Sequence, residues 1–167
     1  MIKIKFLGII TIALIFMISG CSEDNSSDPD PKKPSAKIFV FSDPHILAPS
    51  LMTNGNPDDD YYEQGRKLLQ ESDAIMQKTI DLITNSGVDI VIVPGDLTKD
   101  GEKASMEKFA NYMMQIHNAG IDVFVVPGNH DIDNPLSMDY SSGTALNCPT
   151  VSTTEFKQIF NDMTYSK

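Results

Sequence analysis

Three short runs of β-branched and aromatic residues, "KIFVF", "DIVIV" and "DVFVV", each stop at a stretch dense in carboxylate, imidazole, amide or glycine: "SDPHI", "PGDLTKDGE" and "PGNHD". No other feature restricts the fold as strongly. Unbroken apolar runs of this length predict strands covered on both faces. Between the first and second runs, Leu68, Ser72, Ile75, Thr79 and Leu82 form one helical stripe with Leu69, Met76 and Ile83 beside it, and "NSG" ending at Gly87 closes it. Between the second and third, Met106, Phe109, Ala110, Met113 and Ile116 form another stripe, closed by Gly120. Ser152 with Glu155 three residues later is a capping box that opens a third helix. Strand, helix, strand, helix, strand predicts a parallel sheet. In such sheets ligands bind beyond the carboxyl ends of the strands.

Adjacent parallel strands lie about 4.8 Å apart. Side chains at neighbouring ends, namely Asp43 and His45, then Asp96, then Asn129, His130 and Asp131, can therefore converge on one point. Carboxylate, imidazole and amide oxygen together suit a divalent ion such as Zn, Mn or Fe. Gly95 and Gly128 fit a backbone that turns sharply to bring a ligand in. Each residue also has a plainer reading. Asp43 and Asp96 can cap the helices that follow, His45 can be a loop residue after Pro44, and Asn129 can be a turn former. His117, one turn from Met113, reads as a half-buried helix residue outside the site. Asp100 with Gly101 reads as a turn before the second helix, and Asp58 to Asp60 as a solvated loop.

The blocks D-x-H, G-D and G-N-H-D, in that order between Lys37 and Pro135, resemble those of the calcineurin-like metallophosphoesterases. The string "GDLTKDGEKAS" is similar to that of lipid-anchored or secreted bacterial members. The resemblance implies that Asp43 and His45 bind a first metal, that Asp96 bridges two, and that Asn129 binds the second. It places His130 near the leaving-group oxygen as general acid or charge stabiliser, with Asp131 orienting its ring. The implied activity is hydrolysis of phosphate mono- or diesters by a hydroxide formed between two divalent ions, Mn, Fe, Zn or similar. The implied fold is an α/β/β/α sandwich, of which this chain encodes the first βαβαβ half. The family pattern continues with a lone histidine and a G-H-x-H block, whereas no histidine follows His130 here. The expectation is a metallophosphoesterase domain over residues 36–167, truncated, with one sheet face uncovered and the second ion short of ligands. The alternative is a catalytically incompetent fragment, or a surface lipoprotein that uses the half-domain as a binding module.

Lys3 and Lys5 precede an apolar run from Phe6 to Ile18, which reads as a secretory signal peptide over residues 1–20. The following "ISGC" resembles the lipobox of bacterial lipoproteins and implies acylation of Cys21. That anchors the chain to a membrane surface, each buried CH₂ adding about 0.8 kcal/mol. Residues 21–35 then read as the lipidated cysteine and a disordered tether. The expected location is the bacterial cell envelope, at the outer membrane. With Cys21 acylated, Cys148 is the only other thiol, which excludes an internal disulfide. The net charge of −10 becomes −12 once Lys3 and Lys5 leave with the signal, which argues against nucleic-acid binding through a basic face. It does not exclude anionic substrates, because bound cations reverse the sign of a site locally.

Overall fold

Burial along the strands alternates, and that alternation decides the architecture. In the computed structural model, which describes residues 35–53 and 67–165, β1 (Ile38–Val40), β2 (Ile90–Val93) and β3 (Asp122–Val125) form a parallel sheet in the order β1-β2-β3. Phe39 pairs with Val91, and Val91 with Val123. The leader, Cys21 and Asp58 to Asp60 lie outside the described residues. The crossovers are α1 (Ser72–Thr84) and α2 (Lys103–Asn118), followed by α3 (Thr153–Ile159). The α/β class and the βαβαβ order expected from the runs and stripes are thus present.

Among the described residues, α1, α2 and α3 pack on the same side of the sheet. Val91, Val93, Val123 and Val125 are fully buried against Met76, Ile80 and Ile83 of α1, Phe109, Met113 and Ile116 of α2, and Phe156 of α3. The opposite face carries Ile38, Val40, Phe124 and Val126, all exposed. Within the described residues one sheet face is thus uncovered, as expected for the first half of the sandwich, while the reading of the runs as strands covered on both faces fails. An unbroken apolar run reports that both faces are apolar, not that each has a partner. A second correction concerns α1, where Leu68, Ile75 and Leu82 of the expected stripe are exposed, while Leu69, Met76 and Ile83 beside it are buried. The apolar arc of this helix is wider than one stripe, and packing against β2 and α2 selects its flank.

Two features close the structure beyond the sheet. At α3 the capping box forms, with Ser152 Oγ accepting from the Glu155 amide and Glu155 Oε2 accepting from the Ser152 amide at 3.0 Å. The chain then makes a π-helical turn, Asn161–Tyr165, from which Thr164 and Tyr165 hydroxyls donate to the carbonyls of Val123 and Val125. Those donors satisfy one edge of β3. Between His130 and α3 lies a small antiparallel pair not foreseen in the sequence, β4 (Met138–Asp139) and β5 (Leu146–Asn147). It sets Tyr140 into a separate apolar cluster with Leu47, Leu51 and Leu69.

One-sided packing makes buried and exposed apolar helix positions unequal. Phe109→Ala should cost about 3–5 kcal/mol by urea denaturation, whereas Leu82→Ala should cost under about 0.5 kcal/mol. Equal costs would contradict the packing described.

Candidate metal centre

The ladder between β1 and β2 does not stop where the strands end. The Asp43 amide donates to the Gly95 carbonyl at 3.2 Å, the His45 amide to Asp96 at 3.1 Å and the Ile46 amide to Leu97 at 3.0 Å. The loop after β1 therefore runs beside the loop after β2, residue by residue, and carries Asp43 and His45 to Asp96. Ligand atoms of these three residues all lie within 4.8 Å of one another. His45 Nε2 is 3.9 Å from Asp43 Oδ1 and 3.8 Å from Asp96 Oδ2. All three residues adopt positive φ, at 57°, 41° and 50°, a region that aspartate and histidine tolerate better than most side chains. Neither aspartate caps a helix, since the N-caps are Glu71, Glu102 and Ser152.

A third loop, after β3, presses on the same point. Gly95 and Gly128 meet backbone to backbone, and a Cβ on Gly128 would stand 2.1 Å from Asp96 Oδ1. The bareness of Gly128 is what admits the Asp96 carboxylate. Asp131 fastens the loops together. Its buried carboxylate accepts from the amides of Leu97, Thr98 and Gly128 and from the Thr98 hydroxyl, at 2.8–3.0 Å. Asp131 thus has no oxygen left for the His130 ring, which corrects the orienting role expected of it. The partner is Asp100, whose Oδ1 lies 2.8 Å from His130 Nδ1, with the Lys99 carbonyl at 3.0 Å. Asp100 is itself fully buried, and Lys99 donates to its other oxygen at 2.6 Å beneath the Tyr140 ring. Burial opposes the charge on Lys99, but its bonds to Asp100 and Tyr140 outweigh that and raise its pKa.

The sequence alone reads Asp100 as a turn residue, its one hint being its place in "PGDLTKDGE", four residues after Asp96. Asn129 is exposed at the tip of the β3 loop, beside His130, whose amide donates to Asp96 Oδ1 at 3.2 Å. The His130 and His45 rings meet edge to face with centroids 4.9 Å apart. Lys67 also reaches the centre, its Nζ 3.0 Å from His45 Nδ1. Nothing in "QGRKLLQ" distinguishes it from a solvated lysine at a helix approach. His117 stands apart on α2. Burial pushes the Cys148 thiol up to about 11, so it is protonated at neutral pH and no nucleophile.

The donor set fits a divalent cation. Burial, then the Lys67 charge, lowers the His45 pKa and keeps the imidazole neutral, the form that ligates. The Thr98 carbonyl, 3.1 Å from Nδ1, is the kind of partner that turns Nε2 toward a metal. Two carboxylates and one imidazole leave room for water or substrate, as catalytic centres require.

A parallel sheet whose strand mouths gather these ligands is that of a metal-dependent α/β protein with its site at the carboxyl edge. The model of the calcineurin-like phosphoesterases matches residues 36–167, and the chain belongs to that family, whose chemistry is metal-dependent hydrolysis of phosphoesters. The fold described is the first half of that family's sandwich. No curated protein matches the chain.

Two outcomes test this geometry. Gly128→Ala should weaken zinc or manganese binding at least tenfold by calorimetry, or about 1.4 kcal/mol, because its methyl occupies the space of the Asp96 carboxylate. Glu102, buried at the start of α2 with Oε1 lacking a hydrogen-bond partner among the described residues, has its pKa pushed up to about 7, chiefly by burial. The folded chain then holds this proton more tightly than the unfolded one. The contribution is intact below about pH 4.5 and is lost as pH rises toward about 7. Urea midpoints of Glu102→Gln should lack that decline.

Proposed function

We propose that the chain hydrolyses phosphate mono- or diesters at a centre held by Asp43, His45 and Asp96. The observation that carries this reading is the convergence of three ligand atoms within 4.8 Å at the mouth of a parallel sheet. Asp96 and Asn129 would contribute to a second ion of the pair. A bound divalent ion supplies charge for the phosphoryl oxygens and lowers the pKa of water at the centre.

The side chains do the rest. The paired loops fix the backbones of Asp43 and Asp96 at the centre, which limits the reorganisation that binding requires. His130 has Nδ1 fixed on Asp100 and the Lys99 carbonyl, which leaves Nε2 as the ring position able to carry a proton to the leaving-group oxygen. Asp100 is in turn fixed by Lys99, so ring orientation is set by two buried residues. Anchoring at the cell envelope through acylated Cys21 belongs to the same reading and is supported by the leader from Lys3 to Ile18 and the "ISGC" that follows. Among the described residues no helix is long and apolar enough to cross a membrane.

The test is divalent-metal titration of the purified chain with a nitrophenyl phosphate ester. Asp96→Ala should abolish turnover, and His130→Ala should lower kcat by about 10²- to 10⁴-fold. A chain that binds no zinc, manganese or iron would sink the proposal.

A further inference from the structure

His45 Nδ1 has two neighbours with opposite requirements. The Thr98 carbonyl, 3.1 Å away, can only accept, so that contact needs a proton on Nδ1. The Lys67 ammonium, 3.0 Å away, can only donate, so that contact needs the Nδ1 lone pair. One nitrogen cannot serve both. Nε2 is the atom facing Asp43 and Asp96. When it gives its lone pair to a cation, the proton must sit on Nδ1, and Thr98 then keeps its bond while Lys67 loses its acceptor.

Among the described residues, the carboxylates that act most on the Lys67 ammonium are engaged. Asp100 is paired with Lys99 and His130, and Asp96 is committed to the centre and to the His130 amide. Lys67 lines a cavity of about 490 Å³ together with Asp43, Pro44 and His45. An ammonium on that wall, deprived of its imidazole, is complementary to an anion arriving at the centre. We propose that Lys67 is a phosphoryl-binding residue, held on His45 Nδ1 while Nε2 carries the proton and released toward the phosphoryl oxygens when Nε2 takes a divalent ion. The proposal rests on reading the centre as a phosphoesterase site. It adds a residue that senses occupancy, so that the cavity gains a free cation only when the centre is loaded.

The experiment reads binding, not turnover. The full chain, stripped with chelator or loaded with zinc, is titrated with inorganic phosphate by calorimetry, and the His45 ring nitrogens are followed by ¹⁵N chemical shift. Zinc should move His45 to the Nδ1–H tautomer. The loaded chain should bind phosphate, Lys67→Met should weaken that binding at least about tenfold, and Lys67→Arg should retain most of it. Zinc affinity of Lys67→Met should equal or exceed that of the unsubstituted chain, because the competitor for Nδ1 is gone. Unchanged phosphate affinity, or weaker zinc binding, in a Lys67→Met variant that melts like the unsubstituted chain would overturn the proposal. Zinc binding without phosphate binding would also overturn it, while leaving the metal centre standing. Absence of zinc binding would sink the reading of the centre, and with it this proposal. Absence of hydrolysis with both binding results intact would sink only the assigned activity.

Discussion

The carboxylate of Asp131 accepts four hydrogen bonds from two loops that must touch if the centre is to exist. The loops after β2 and β3 each leave the sheet with unpaired amides, and buried amides without acceptors cost about 1–3 kcal/mol apiece. One side chain satisfies three of them at once and the Thr98 hydroxyl as well. The closeness it enforces is why Gly95 and Gly128 must be bare, and why Asp96 stands where the β1 loop can deliver Asp43 and His45 to it. The β1 loop needs no such knot, because its amides continue the strand ladder as far as Ile46.

Charge at the centre is distributed by depth. Asp43 is exposed and His45 and Asp96 are half-buried at the mouth, while Asp100, Lys99 and Glu102 are fully buried. Such a layer makes sense only if paired, since an isolated buried charge is untenable. Lys99 neutralises Asp100, and Glu102, with one oxygen unpartnered among the described residues, relaxes by holding a proton. The acidic total of the chain therefore says little about the sign of the field at the site, which its own lysines and any bound cation set locally.

Much of this was legible in the residues themselves. The three apolar runs and two stripes were enough for element order, and the capping box at Ser152 and Glu155 is local chemistry that survives any tertiary context. Asp43, His45 and Asp96 were legible because each follows a strand whose neighbour is known. Which aspartate serves His130 was not. Asp131 is adjacent in sequence, but the turn aims it back at the backbone, while Asp100 arrives from 30 residues away. Lys67 was illegible for the same reason, since its contact with His45 spans 22 residues. The exposed face of the sheet shows the limit of periodicity, because apolar residues mark a surface as apolar without stating what covers it.

Asp43, His45 and Asp96 share a left-handed backbone, and a side chain with a Cβ costs roughly 1–2 kcal/mol in that region. The three residues that would do the chemistry are therefore among those the fold holds least comfortably. Glycine at these positions would relieve that cost. Three ligands in two adjoining strained loops thus have a thermodynamic direction: substitutions that relax the backbone there would remove the centre and leave the core intact.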